Sequence, residues 1–157
     1  MVNGGFMSFG KNPEEELEKR LTELGYSLVK LNIVHGKTRN KIEIIIYSSK
    51  GIKHSDCEKV SRMILDDPEL DKLFGENYNL EVSSPGINRK LYTLREYMIF
   101  KDRPIEIALK STGHPFIAKI RSVEGDKINL SNLKKNELIQ VQLQEIQYAK
   151  LTDIKEA

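Results

Sequence analysis

From Ile105 to Leu151 the apolar residues recur with a period of two, and every interruption is short and polar. Ile105, Ile107 and Leu109 alternate; STGHP turns; Phe116 to Val123 runs extended; EGDK turns tightly; Ile128 and Leu130 follow; SNLKKNE loops; Leu138 to Val141 and Tyr148 to Leu151 complete the pattern. Period two with turn residues between the runs is the signature of half-buried strands, so this segment predicts four or five of them. Closing so short a sheet on itself removes its vulnerable edges, which favours a small β-barrel over an open sheet.

The first half of the chain obeys a different rule. Asn12 can cap a helix, Pro13 fits its first position, Glu14 to Glu16 complement its dipole and Gly25 can close its far end. Leu17, Leu21 and Leu24 then share one face. From Ser27 the period falls to two, with Val29, Leu31 and Ile33 on one side and, after the polar turn HGKTRN, Ile42, Ile44 and Ile46 repeating the pattern as a hairpin. Ser55 and Glu58 have capping-box spacing before a helix that buries Val60, Met63, Ile64 and Cys57 and stops near Asp67-Pro68. Tyr78 to Ser83 reads as a third strand. The expected fold class is α+β: an N-terminal α/β domain, αββαβ, with a three-stranded sheet and two helices on one face, followed by a small all-β domain. Thr93 and Glu96 make another capping box for a short linker helix before Asp102-Arg103-Pro104. The expected boundaries are a mobile N-terminal arm over residues 1–10, a first domain over 11–92 and a second over 93–157.

Composition excludes several classes. In 157 residues, 39% apolar and 31% charged describes a globular chain, and the longest apolar run, Ile42 to Tyr47, is broken by Glu43. A membrane span needs roughly 20 apolar residues. The N-terminus lacks the basic and apolar regions of a signal peptide. Cys57 is the single cysteine, so neither an intrachain disulfide nor a thiolate zinc cluster is available. The expected location is cytoplasmic. The net charge of +2 is unevenly placed: residues 1–82 carry 12 Lys and Arg against 14 Asp and Glu, whereas 83–157 carry 13 against 9. The basic half suits an anionic partner.

Catalytic patterns fail on residue types or spacing. His35, His54 and His114 form no H-E-x-x-H; Ser83 and Ser84 lack the G-x-S-x-G elbow; there is no phosphate loop and no G-x-G-x-x-G. Asp66-Asp67 falls at a helix end, where solvated carboxylates are expected rather than a magnesium site. Cys57 falls in a first helical turn, a place that lowers a thiol pKa, but no base or resolving cysteine accompanies it, and helix packing is the expected role. No catalytic residue, metal, cofactor or small-molecule substrate is therefore expected. The G-x-x-G of KH domains and the aromatic motif of RRM domains are missing as well, so nucleic acid would be met by charge and shape.

The stretch LEVSSPGINRKL, Leu80 to Leu91, is the sharpest local signal. Pro85 fixes φ at the corner of a turn and Gly86 supplies the positive φ that a type II turn needs next. Asn88, Arg89 and Lys90 then project from a rigid base, which lowers the entropy cost of using them. The plainer reading is an interdomain turn carrying solvated charges.

LEVSSPGINRKL closely resembles the L-E-V-S-S-P-G-x-x-R-x-L hallmark of the RimP family of bacterial ribosome maturation factors. LGYSLVKLNI resembles that family's helix-to-strand junction, KHSDCEKVSRMI its capped second helix and LQEIQYAKL its closing barrel strand, in the same order over residues 14–154. Two positions depart: Lys90 stands where a proline is common, and Asp102 where a glycine usually opens the barrel. The resemblance implies a C-terminal Sm-like, SH3-type barrel and a non-enzymatic, monomeric assembly factor. It implies as partners the immature small (30S) ribosomal subunit, its 16S rRNA and a small-subunit ribosomal protein, with no membrane. The ribosome- or RNA-binding candidates are Ser83, Ser84, Gly86, Asn88, Arg89 and Lys90 at the turn, with Arg89 favoured for gripping phosphate, and Lys119, Arg121, Lys134 and Lys135 on the barrel. The competing class is an Sm-like RNA-binding regulator or peptide-binding adaptor unconnected with ribosomes.

Overall fold

The computed structural model describes residues 12–75, 77–86 and 88–153; the arm expected over residues 1–10 lies outside the described residues. Two compact units divide between Pro85 and Gly86. Gly86 and residues 88–92, grouped with the first domain on sequence grounds, fall in the second unit.

The first unit begins with α1 (Pro13–Glu23), whose Asn12 side chain accepts from the Glu14 amide at 2.8 Å. Strands β1 (Ser27–Val34) and β2 (Asn40–Tyr47) form the antiparallel hairpin, and β3 (Tyr78–Ser83) joins β2 in parallel, giving the order β1-β2-β3. The hairpin is not strictly alternating. Val29 is inserted between the pairs Leu28↔Ile46 and Lys30↔Ile45 as a β-bulge, so Leu28, rather than Val29, joins Leu31 and Ile33 against the core.

Helix α2 (His54–Leu65) starts before Ser55: the Lys53 amide donates to the Asp56 carboxylate at 2.7 Å, and that carboxylate also accepts from the Tyr26 hydroxyl. A tertiary partner thus holds the capping acceptor at Asp56. A third helix, α3 (Pro68–Phe74), lies where the sequence reading assigned none. Asp67 caps it, accepting from the Glu69 and Leu70 amides at 3.0 and 3.2 Å. The three helices bury i,i+4 pairs, Leu17/Leu21, Val60/Ile64 and Leu70/Phe74, with Ile42, Ile44 and Ile46 of β2. One helical layer over one sheet face is what this pairing requires.

The second unit comprises α4 (Leu94–Ile99), β4 (Pro104–Leu109), β5 (Phe116–Glu124), β6 (Lys127–Asn132), β7 (Glu137–Gln142), a 3-10 turn at Leu143–Glu145 and β8 (Ile146–Leu151). All its ladders are antiparallel, in the order β7-β6-β5-β4-β8, so the last strand lies beside the first. This is the all-β domain that the period-two pattern predicts. Ile105, Ile107, Ala118, Ile120, Ile128, Leu130, Ala149 and Leu151 are buried at alternate positions, as that pattern requires. The sheet gains a short extra rung: the Leu91 amide donates to the Ala149 carbonyl and the Leu151 amide to the Arg89 carbonyl, both at 2.9 Å. Asp102 has φ 70, so the backbone keeps the left-handed conformation at the position where the resembled family usually carries glycine.

Candidate functional site

Strand β3 ends at Ser83, and exposed Ser84 leads into Pro85 and then Gly86, whose φ is 80. That angle is the one a type II corner requires after proline. A Cβ built at Gly86 meets nothing within 4 Å, so the demand for glycine is conformational and not steric. Gly86→Val is therefore expected to cost about 1–3 kcal/mol through backbone strain alone. An unchanged melting temperature would show that the corner relaxes to another turn.

Beyond the corner, the two cations part company. Lys90 is exposed, on a segment fixed by its bridge to Lys150. Arg89 is only 18% exposed, and its Nη2 donates to Glu96 Oε2 at 2.9 Å. Glu96 is itself buried, 8% exposed at the side chain. Its other oxygen accepts from the Tyr92 amide at 2.8 Å, the Thr93 amide at 3.1 Å and the Thr93 hydroxyl at 3.3 Å. The Thr93–Glu96 capping box is as read from the sequence, but the carboxylate that completes it also holds the guanidinium seven residues upstream. A guanidinium tied to a buried carboxylate through Nη2 positions the segment. The Thr93–Glu96 spacing alone gave no sign of this, because the box is satisfied without Arg89.

Of the remaining candidates, Asn88, Arg121, Lys134 and Lys135 are exposed and Lys119 is half-buried. Lys119 lies on β5 opposite Pro104 and Ser131, with Ala118 and Ile120 buried on either side of it. Arg121 is the inserted residue of a bulge between Ile120 and Ser122. Lys134 and Lys135 follow β6, their amides donating to Asn132 Oδ1 at 3.0 and 3.2 Å. Along the sheet these cations form three groups, at the 89–91 rung, on β5 and in the β6–β7 turn.

The groups tested for chemistry occupy structural roles. Burial, and after it Asp56, pushes the half-buried Cys57 thiol up, opposite to the direction its place in the first helical turn would give. Asp67 caps α3 and receives Arg20 of α1 instead of facing water. His35, His54 and His114 are exposed, and His54 faces Glu58 at 3.2 Å. Among the described residues no three His, Cys, Asp or Glu side chains gather as a metal would need, and no helix is long and apolar enough to cross a membrane.

Three helices over a mixed three-stranded sheet, followed by a five-stranded antiparallel unit, define a two-unit α+β protein. Residues 16–88 match the family model of the RimP N-terminal domain, from α1 through the Ser-Pro-Gly corner. The chain thus carries the N-terminal domain of the RimP family, a family of ribosome maturation factors.

Proposed function

We propose that this protein binds the immature small (30S) ribosomal subunit and assists its assembly and the processing of its 16S rRNA, as a cytoplasmic monomer with no cofactor. The match to the RimP N-terminal domain over residues 16–88 carries this reading. In it, the second unit supplies the RNA contacts and a small-subunit ribosomal protein is a further partner. The excess of cations after residue 82, and the exposure of Lys90, Arg121, Lys134 and Lys135, support an electrostatic mode of RNA binding. Lys90 is the residue assigned to phosphate at the turn; Arg89, Ser83, Ser84, Gly86 and Asn88 shape or flank the segment that presents it, and Lys119 adds to the basic character of β5.

Sucrose-gradient fractionation tests the partner. Co-migration with free small subunits and absence from mature ribosomes is expected; migration with other RNA, or with no ribosomal particle, would favour a general RNA-binding regulator. Salt dependence tests the residues. Lys90→Glu is expected to leave the melting curve within about 0.5 kcal/mol of the parent, as an exposed charge should. It is also expected to weaken binding to free small subunits and to flatten the log–log salt slope by about 0.7–0.9, since one phosphate is no longer neutralised. Equal slopes for parent and variant would remove Lys90 from the interface and leave Arg121, Lys134 and Lys135 to be reversed in turn.

A further inference from the structure

Among the described residues, the sheet of the first unit ends on β3, which pairs with β2 alone. Asn40 lies opposite Tyr78, and its amide donates to the Asn77 carbonyl at 3.0 Å. In a parallel ladder of that phase, Asn79, Glu81 and Ser83 turn their amide groups toward β2, whereas Tyr78, Leu80 and Val82 turn theirs outward. The outer edge of β3 thus offers a row of backbone donors and acceptors.

A groove of about 520 Å³ runs beside this edge, between β3 and α2. Leu80, Glu81 and Val82 all line it, although their side chains alternate across the sheet, so the groove follows the strand's edge instead of covering one face. Its apolar wall includes Cys57 and Leu65 of α2, and Leu65 is 58% exposed. Three carboxylates, Glu58, Asp66 and Glu81, also line it, against the single guanidinium of Arg62. The residues up to 82, which include this unit's sheet and helices, carry a net negative charge.

We infer that this edge takes an extended, basic segment of a protein partner as a fourth strand. Backbone pairing along Tyr78, Leu80 and Val82 supplies the register, alternate apolar side chains cover Leu65, Leu80 and Val82 on the α2 side, the intervening lysines or arginines meet Glu81 on the other side, and basic side chains flanking the apolar run meet Glu58 and Asp66. An RNA segment would bring phosphates to the same three carboxylates and offers no strand to pair. The inference rests on the first unit alone and stands apart from the RNA contacts proposed for the second.

The test uses full-length, isotope-labelled protein and a short peptide alternating valine and lysine. Saturable shifts are expected at the amides of Tyr78, Leu80 and Val82 and along α2. The same peptide with glutamate for lysine should bind about tenfold more weakly or worse, and one N-methylated at alternate residues should not bind. Reversing Glu58→Lys together with Glu81→Lys should weaken the lysine peptide by about tenfold or more while leaving the melting curve near that of the parent. Val82→Pro removes an outward amide and leaves the β2 ladder intact, and should abolish binding. No saturable binding of the lysine peptide, equal affinity for the lysine and glutamate peptides, shifts confined to other residues, or insensitivity to the paired charge reversal would each overturn the inference. A uridine oligonucleotide that shifts the Tyr78, Leu80 and Val82 amides would overturn it in favour of nucleic acid.

Discussion

Glu96→Ala is expected to lower the stability of the second unit by about 3–5 kcal/mol, enough to leave so small a unit largely unfolded. Two effects combine. The Tyr92 and Thr93 amides are deprived of the acceptor that closes the N-terminus of α4, and Arg89 keeps a charge that is 18% exposed with no carboxylate beside it. The second effect dominates, because an uncompensated buried charge costs more than a missing cap. Glu96→Gln keeps one acceptor for the cap and is expected to cost less, about 1–3 kcal/mol. Urea unfolding followed at the amides of residues 104–151 separates the two variants. An unchanged midpoint for Glu96→Ala would mean that the Arg89–Glu96 bond is not kept in water. Reversing Arg89 to glutamate would set two carboxylates together, so any loss of binding in that variant reports unfolding and says nothing of phosphate.

The second large effect lies at Arg20. From α1 it donates to the Glu16 carboxylate at 3.1 Å, to Asp67 at the cap of α3 and to Glu69 of α3, at 20% exposure. Its three carboxylate partners, Asp67 foremost, raise its already high pKa further against the cost of burial. Arg20→Ala is expected to cost the first unit about 2–3 kcal/mol, because it removes the charged hydrogen bonds between α1 and α3. The pH dependence follows from Asp67. Burial pushes its carboxyl up, but Arg20 and the Leu70 and Glu69 amides outweigh burial and hold it below the usual range. A group with a depressed folded pKa stabilises above its unfolded value, near 3.9, and that stability is lost as pH falls through the folded value. Melting temperatures of the parent should fall steeply below about pH 4, and those of Arg20→Ala should fall less, so the two curves converge in acid. Parallel curves down to about pH 2 would show that the network adds nothing. At the other limit Tyr26 is pushed up to about 12, chiefly by donating to Asp56. A raised pKa reverses the sign: its contribution is complete below the unfolded value near 10 and disappears between about pH 10 and 12.

The elements most legible in the sequence are those whose signals are local. Asn12-Pro13 with three glutamates, the Thr93–Glu96 box, Pro85-Gly86 at the corner and the period-two runs after Pro104 each act within a few residues, and each reappears in the structure. Helix α3 shows where local reading becomes ambiguous. Asp67-Pro68 reads as the stop of α2, yet it is the same kind of signal as Asn12-Pro13 and starts a new helix that Gly75 closes after seven residues. The core is legible for the same reason as the strands, except at Val29, where one inserted residue moves Leu28 inward.

By itself, then, the sequence determined the two kinds of architecture, the order of their strands along the chain and the position of the rigid corner, because caps, turns and hydrophobic period depend on neighbouring residues. The tertiary structure decided that Arg89 is paired with Glu96 while Lys90 is exposed, that Asp67 answers Arg20, and that β3 is an edge among the described residues. Those outcomes depend on register and on which surfaces are removed from water. No short window of residues carries that information, because the charges that meet and the strand left at the rim are selected only when distant segments pack.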